Sequence, residues 1–298
     1  MSYIATIIIG ILEEGLVYAI LALGIYITYK ILDFPDLSVD GTFPLGGAVT
    51  VVLIIAGINP ILTLFISFLA GAVAGILTGI IHVKLKVRDL LSGIIMMTAL
   101  YSINLRIAGR ANVPIFSKET IFENKTLDSL VPESFQPFLV LAILLIIVAF
   151  MKLLLDLYLR TKSGYLLRAV GDNDTLVTSL AKDKGTVKII GLAVANAFVA
   201  LAGSVYAQKS GFFEISTGTG AMVIGLASVI IGTNLFKKVP YVKATTAVIV
   251  GSILYKTCVA AAISLGMETS DMKLVTAVLF LIILIMSGDR KRRVKKSA

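Results

Sequence analysis

The chain has 298 residues, of which 57% are hydrophobic and only 15% are charged, and its formal net charge is +9. Soluble domains are about 45–50% apolar and about 25% charged, so this composition excludes an ordinary soluble protein. Several continuous apolar runs approach the ~20 residues that cross a bilayer. We therefore predict an all-α, polytopic transmembrane helical bundle that forms one domain over residues 1–298, because lipid cannot satisfy open backbone groups.

The positive charge does not indicate a nucleic-acid partner. The basic residues cluster in short connections between apolar runs, which is the pattern of the positive-inside rule. The tail 289–298 contains six basic residues, so we expect a cytoplasmic C-terminus beside anionic headgroups. Lys30 is the only lysine or arginine among the first eighty residues, so no cleavable signal peptide is expected.

The first apolar region is interrupted early. Gly15–Ile31 and Phe43–Ala56 are each short for a straight crossing, and between them lie Asp33, Asp36 and Asp40 with prolines and glycines. We predict a broken helix here, since irregular backbone at membrane depth is tolerated only beside protein or water, and such breaks mark substrate paths in transporters. The alternative is a plain cytoplasmic loop whose acids cap helices.

The residues of the break also carry local predictions. The three aspartates are spaced three and four residues apart, so they would share one face if the segment were helical. Thr42 is predicted to cap a helix that begins near Phe43, with Pro44 in its first turn.

Seven further apolar segments follow, and the charges of their connections alternate as the positive-inside rule requires. They are Pro60–Ile81, Leu90–Ile107, Pro137–Leu159, Val187–Gln208, Gly220–Leu235, Ala244–Leu265 and Met272–Ser287. The total is eight or nine hydrophobic segments. The longest polar connection on the predicted inner side covers about residues 160–188, and counting backwards places the N-terminus outside or along the outer interface.

Polar residues inside predicted spans need partners. Lys256 lies about 18 Å into its span at 1.5 Å per residue, where a charge is costly and usually faces a partner or water. Glu13, Glu14 and the acids of the break are its candidate partners, although the two glutamates could instead mark a bend after an interfacial helix. Asn196 lies among small residues typical of close helix packing, so it is predicted to make an interhelical hydrogen bond or, alternatively, to line a pore.

Two stretches resemble a known family. "ALGIYITYKILDFPDLSVDGTFPLGGAV" is similar to the early segment of permease subunits in the branched-chain amino acid and ribose ABC importer family, where an apolar helix meets a D-L-S-V-G break before a second half-helix. Residues 36–39 keep that pattern, whereas Asp40 stands before Gly41. This form is closest to a subgroup of uncharacterised or aromatic amino acid permeases.

The second stretch lies in the inner connection. "SGYLLRAVGDNDTLVTSLAKDKG" resembles the family's R-A-x-G-x-N-x-x-x-A-x-x-x-G segment, although the position of the later alanine is not fixed. The resemblance implies a cytoplasmic coupling helix that docks in an ATPase, and the spacing of three leucine and valine residues gives it an apolar stripe; the alternative is a solvated loop with a capped helix. The candidate coupling residues are Arg168, Ala169, Gly171, Asp172, Asn173, Leu176, Val177 and Leu180.

The resemblance implies a transmembrane permease subunit of a bacterial ABC importer that moves a small, amino acid-like solute across the cytoplasmic membrane. Its implied partners are a cytoplasmic ABC ATPase, an extracellular substrate-binding protein and a second permease subunit, in a homodimer or a pseudo-symmetric pair. The residues expected to face or brace the substrate pathway are Asp36, Ser38, Asp40, Thr42, Asn196 and Lys256.

No catalytic, metal or cofactor site is expected in the chain itself. The sequence has no G-x-x-x-x-G-K-[ST] nucleotide loop, so ATP hydrolysis would belong to a partner subunit. Its lone histidine, His82, and single cysteine, Cys258, do not form a metal-ligand pattern. The alternatives are a stand-alone secondary transporter or channel that uses Glu14 and Lys256, and a membrane scaffold without transport.

Overall fold

The computed structural model describes residues 3–124, 132, 135–172, 183–237, 239, 241–264 and 271–287. These ranges contain ten α-helices: α1 Tyr3–Ile25, α2 Val39–Ile55, α3 Pro60–Val83, α4 Asp89–Ala108, α5 Gln136–Tyr158, α6 Lys162–Asp172, α7 Lys184–Ser210, α8 Ala221–Leu235, α9 Ala244–Ser264 and α10 Met272–Ser287. A π-helical turn, Tyr26–Ile31, extends α1, and a 3-10 turn, Ile215–Gly218, precedes α8.

The prediction of an all-α, polytopic bundle is confirmed. Within the described ranges, seven helical stretches are long and apolar enough to cross a membrane, and two shorter apolar helices, Val39–Ile55 and Lys273–Ile285, accompany them. The described residues add one feature that the sequence did not predict, a small antiparallel ribbon in which β1, Asn112–Pro114, pairs with β2, Phe212–Glu214.

Helix α1 forms the centre of the bundle. Every residue from Gly15 to Thr28 is buried, as expected for a helix that is apolar on all sides. The helix also runs without interruption through Glu13 and Glu14, so the alternative of a bend at these glutamates is wrong. Both side chains pair with lysines of neighbouring helices, and their charges therefore do not require the chain to leave the helix.

The chain is not helical between the end of the π-helical turn at Ile31 and the start of α2 at Val39. Asp33 is exposed within this break and has a φ of 52°, in the left-handed region, whereas Asp36 is fully buried. The predicted common face of the three aspartates therefore does not form, because only Asp40 lies on a helix.

The capping prediction at the start of α2 is wrong. The helix begins four residues earlier than expected, and the Thr42 hydroxyl donates to the Ser38 carbonyl oxygen at 3.0 Å from inside the helix. Pro44 is likewise inside α2 rather than in its first turn. The earlier start is explained by Asp40, whose carboxylate binds another helix and so holds the first turn in place.

The order of elements occurs twice along the chain. A long helix, a break, a short helix and two further helices appear as α1 to α4 and again as α7 to α10. The two long helices run antiparallel, since Glu13 pairs with Lys209 while Gly24 lies against Ala195 and Val199. Repeats of opposite direction with interrupted helices are characteristic of membrane transporters.

Glycines bring the two repeats into direct contact. Gly71, Gly75 and Gly79 of α3 lie against α7 so closely that an added Cβ at each would collide with its backbone. Small residues at helix interfaces allow such close packing in membranes, where no hydrophobic force drives helices together.

Candidate functional site

The break after α1 is fixed to α7 by a buried carboxylate. Asp36 Oδ1 accepts hydrogen bonds from the Ser38 backbone N–H at 2.9 Å and from the Ser38 hydroxyl at 2.6 Å. Asn196 Nδ2 donates to Asp36 Oδ2 at 2.8 Å. All three residues are fully buried, so three donors take over the role that water would otherwise have around this carboxylate.

Asn196 is positioned for this contact by the middle of α7. Asn196 Nδ2 is 3.1 Å from the Leu192 carbonyl oxygen, and small residues nearby let α3 pack closely against α7. Asn196 therefore makes a buried hydrogen bond, but its partner is the acid of the non-helical break rather than a residue of another helix as predicted.

Asp40 connects the two short helices. Its Oδ2 accepts from the Gly220 N–H at 3.0 Å, and its Oδ1 accepts from the Met222 N–H at 2.8 Å. A carboxylate is favourable at a helix N-terminus because it satisfies N–H groups that lack intrahelical partners and faces the positive end of the helix dipole. A residue in the first turn of α2 thus caps α8, 180 residues later in the chain.

Lys256 lies in a cluster of charges that includes Glu13, Glu14 and Lys209. Its Nζ is 3.0 Å from Glu14 Oε2 and 3.9 Å from the centroid of the Tyr18 ring, so the lysine combines an ion pair with a cation–π contact. Glu13 pairs with Lys209 at 3.2 Å. The predicted pairing of Lys256 with Glu14 is present, and the buried partner is the lysine, with side-chain exposures of 11% and 54%.

A group of hydroxyls was missed by the sequence reasoning. The Thr50 hydroxyl lies 2.9 Å from that of Ser67 and also hydrogen-bonds that of Ser204, while the Ser67 hydroxyl is 3.2 Å from the Gly46 carbonyl oxygen. These side chains join α2, α3 and α7. Single serines and threonines within helices form no motif, so only their neighbouring glycines could have indicated an interface.

A second missed contact ties α4 to the first turn of α2. Asn104 Nδ2 donates to the Gly41 carbonyl oxygen at 2.9 Å, and the side chain is fully buried. With Asp36 and Asp40, this makes three polar attachments that hold the start of α2 to α4, α7 and α8.

The predicted coupling segment begins with the amphipathic helix α6. Leu167 and Val170 are buried, whereas Arg168 and Asp172 are exposed. Gly171 packs against the Ile31 carbonyl oxygen so tightly that a Cβ would collide with it. Ala169 is partly buried on the same helix. Four candidate coupling residues lie outside the described residues: Asn173, Leu176, Val177 and Leu180.

Apolar helices long enough to cross a membrane, held together by buried polar contacts, are the architecture of a multi-pass membrane protein. A model of the family described as "Branched-chain amino acid transport system / permease component" matches residues 7–287. The chain therefore belongs to this family, and it is the permease component of a transport system rather than an enzyme.

Two relatives align over almost the whole chain. A tyrosine transport system permease protein of Clostridioides difficile (strain R20291) is 43% identical over 290 residues, which cover 97% of this chain and 94% of the relative. An uncharacterized protein of Rickettsia prowazekii (strain Madrid E) is 30% identical over 281 residues, covering 93% and 96%. No solved structure matches the chain significantly.

Proposed function

We propose that this chain is the membrane permease of a bacterial ABC importer for an aromatic amino acid, and that tyrosine is a substrate. The observation that carries this proposal is the 43% identity to a tyrosine transport system permease over 97% of the chain. Residues 1–298 would form a single permease domain in the cytoplasmic membrane, with the basic tail 289–298 in the cytoplasm.

The energy for transport would come from a separate cytoplasmic ABC ATPase that docks on α6 and the residues after it. The exposed Arg168 and Asp172 would contact the ATPase, and the buried face of α6 would transmit its movement. Gly171 lies against Ile31, where the break begins, and Leu167 lies against Gly191 of α7. These two contacts support a mechanical connection from α6 to the break.

The six pathway residues would act mainly by holding the interrupted helices. Asp36, Ser38 and Asn196 fix the break to α7, Asp40 joins α2 to α8, and Thr42 is bonded within α2. Lys256 would hold α9 to α1 through Glu14. A second copy of the chain would complete the pathway as a homodimer, and an extracellular binding protein would deliver the amino acid.

The experiment that tests this function is uptake of radiolabelled tyrosine in cells that lack their own aromatic amino acid importers. The chain is expressed with its candidate ATPase and binding protein, with and without Arg168→Glu on the exposed face of α6. We expect uptake that requires all three proteins, and loss of both uptake and ATPase co-purification in the variant.

Lys118→Glu is the matched control, because it makes the same charge change at another exposed site. Uptake that proceeds without the ATPase would refute the importer assignment and favour a stand-alone transporter. Uptake that requires the ATPase but is competed by a different class of solute would refute only the assignment of tyrosine as the substrate. The importer assignment would still hold.

A further inference from the structure

Four charged side chains meet where α1, α7 and α9 come together. Glu13 pairs with Lys209 at 3.2 Å, and Glu14 pairs with Lys256 at 3.0 Å. Lys209 is close enough to act on Lys256 electrostatically, so the two pairs form one four-charge cluster. Because it contains two acids and two bases, each charge is compensated within the cluster, and the cluster has no net charge of its own.

The four-charge cluster lies at the predicted outer end of the bundle. Lys209 is the last residue but one of α7, and β2 follows almost directly. Strand β2 pairs with β1, which belongs to the connection after α4 that is predicted to be outside. The Glu14 side chain is 54% exposed, so a solute that arrives from the outer side can reach the cluster.

The Glu14–Lys256 pair is not needed to hold α1 against α9. Gly15 lies against the Ile253 backbone, and the Ser252 hydroxyl donates to the Gly15 carbonyl oxygen at 2.8 Å. Apolar residues of similar volume often stabilise a fold as well as an ion pair does, and an ion pair with an exposed partner contributes little to stability. The pair can therefore open at small cost, and helix packing alone does not explain its presence.

Three aromatic rings adjoin the cluster. Lys256 Nζ is 3.9 Å from the centroid of the Tyr18 ring. The Tyr18 ring is stacked on that of Phe43, with centroids 5.9 Å apart, and the Tyr206 ring is 6.2 Å and 5.7 Å from these two. Tyr18 and Phe43 are buried, whereas Tyr206 is only partly buried. Tyr206 therefore presents the accessible side of this aromatic group, and Phe43 connects the group to α2.

The arrangement of charge selects a ligand that carries both signs. A simple cation bound to Glu14 would leave Lys256 without its partner, and a simple anion bound to Lys256 would leave Glu14 without its own; removing one partner of an ion pair is costly. The ammonium and carboxylate of an amino acid are attached to the same carbon atom. Such a zwitterion can lie between the two side chains with every charge still paired by charge-assisted hydrogen bonds.

We propose that Glu14 and Lys256 form an outer binding site for the zwitterionic backbone of an aromatic amino acid. This inference rests on the function proposed above and names the residues that recognise the solute. Glu14 turns outward and accepts from the ammonium, Lys256 donates to the carboxylate, and Tyr206 contacts the aromatic side chain. When the amino acid leaves, Glu14 and Lys256 pair with each other again.

The test measures binding to the purified full-length chain in detergent by saturation-transfer difference NMR. The ligands are tyrosine, tyramine, which lacks the carboxylate, and hydroxyphenylpropionate, which lacks the ammonium. The site variants are Glu14→Gln and Lys256→Gln. The matched controls are Glu119→Gln, at an exposed acid of the outer connection, and Lys243→Gln, which breaks the ion pair with Asp156 near the start of α9.

We expect the wild-type chain and both controls to bind tyrosine more tightly than either analogue. Glu14→Gln should weaken tyrosine binding roughly tenfold but leave hydroxyphenylpropionate binding unchanged or tighter, because that ligand has no ammonium and Lys256 is released. Lys256→Gln should weaken tyrosine binding to a similar extent but leave tyramine binding unchanged or tighter. A purely structural role would weaken the binding of all three ligands together.

Equal losses for the three ligands, or tyrosine binding that neither site variant changes, would overturn the proposal. Uptake of tyrosine by the assembled importer is measured in parallel, so that the two proposals can fail separately. Uptake without the crossed pattern of analogue binding refutes the site and leaves the importer function in place. The crossed pattern without uptake supports the site and refutes the importer function.

The aromatic contact has its own test. Tyr206→Leu keeps an apolar side chain but removes the ring, so the preference of the chain for tyrosine over alanine should fall severalfold. Binding of the two amino acids is compared by the same NMR measurement. An unchanged preference would overturn the assignment of Tyr206 as the residue that contacts the aromatic side chain.

Discussion

Asp36, the buried acid of the break, joins the break to α7. Asp36 has hydrogen-bond donors on both carboxylate oxygens, and the donors come from the break itself and from α7. When a buried carboxylate loses a hydrogen-bond donor, the free-energy cost of removing it from water is no longer compensated. Each donor therefore matters both for stability and for the position of α2.

Asn196→Ala tests this dependence. It removes the donor to Asp36 Oδ2 and should lower the free energy of unfolding by about 1–3 kcal/mol, the cost of an unsatisfied buried charge–dipole contact. Thermal unfolding of the purified protein measures the change. Asn234→Ala, at an exposed position near the end of α8, is the control, and an equal loss in both variants would contradict a specific role for Asn196.

Asp40→Asn tests the connection between the two short helices. Asparagine keeps one acceptor oxygen but places an NH₂ group opposite a backbone N–H of α8. We therefore expect the free energy of unfolding to fall by about 1–2 kcal/mol, and tyrosine uptake to be reduced. Asp33→Asn makes the same change at the exposed acid of the break and should alter stability by less than about 0.5 kcal/mol. If the two variants behaved alike, the cap on α8 would not be important.

At the scale of elements, the sequence predicted most helices because apolar runs in lipid have few structural choices. Leu90–Ile107 was expected and Asp89–Ala108 is found, and Gly220–Leu235 differs from Ala221–Leu235 by one residue. The start of α2 was placed at Phe43 instead of Val39, since local capping rules do not include a carboxylate whose partners are 180 residues away.

The candidate site was predictable only in part, for the same reason. A lysine in an apolar helix must find an acid, so the Lys256–Glu14 pair could be anticipated from charge alone. The contacts of Asp36 with Asn196 and of Asn104 with Gly41 could not, because an amide side chain can be satisfied by many neighbours. Which neighbour it meets depends on how the helices cross.

Gly171→Ala tests the contact between α6 and the end of the π-helical turn that extends α1. The added Cβ would collide with the Ile31 carbonyl oxygen, so α6 must shift, and we expect reduced coupling of ATP hydrolysis to uptake. ATPase activity and tyrosine uptake are measured together in proteoliposomes that contain the assembled importer. Gly10→Ala in α1, where nothing lies within 4 Å, should leave the ratio of uptake to hydrolysis unchanged; an unchanged ratio in Gly171→Ala would contradict the coupling route.

At the scale of the whole molecule, the basic connections predict a definite orientation in the membrane. The predicted cytoplasmic tail lies beyond α10, and the connection after α4 is predicted to be outside. Because the chain has one cysteine, Cys258, a Cys258→Ser background gives a clean starting point for labelling.

In that background, Lys118→Cys should react with a membrane-impermeant maleimide in intact cells. Ser297→Cys, in the basic tail, should react only after the membrane is permeabilised. Labelling is read as a mass shift of the purified protein. The reverse pattern would show that the orientation derived from the basic connections is wrong.

The glycines at the α3–α7 contact restrict how such a molecule can move. Three successive turns of α3 touch α7 backbone to backbone, and α3 belongs to the first repeat while α7 opens the second. Sliding either helix by one residue would place side chains where only hydrogen atoms fit. We therefore expect the two repeats of one chain to move together as one stiff body rather than to slide along this contact.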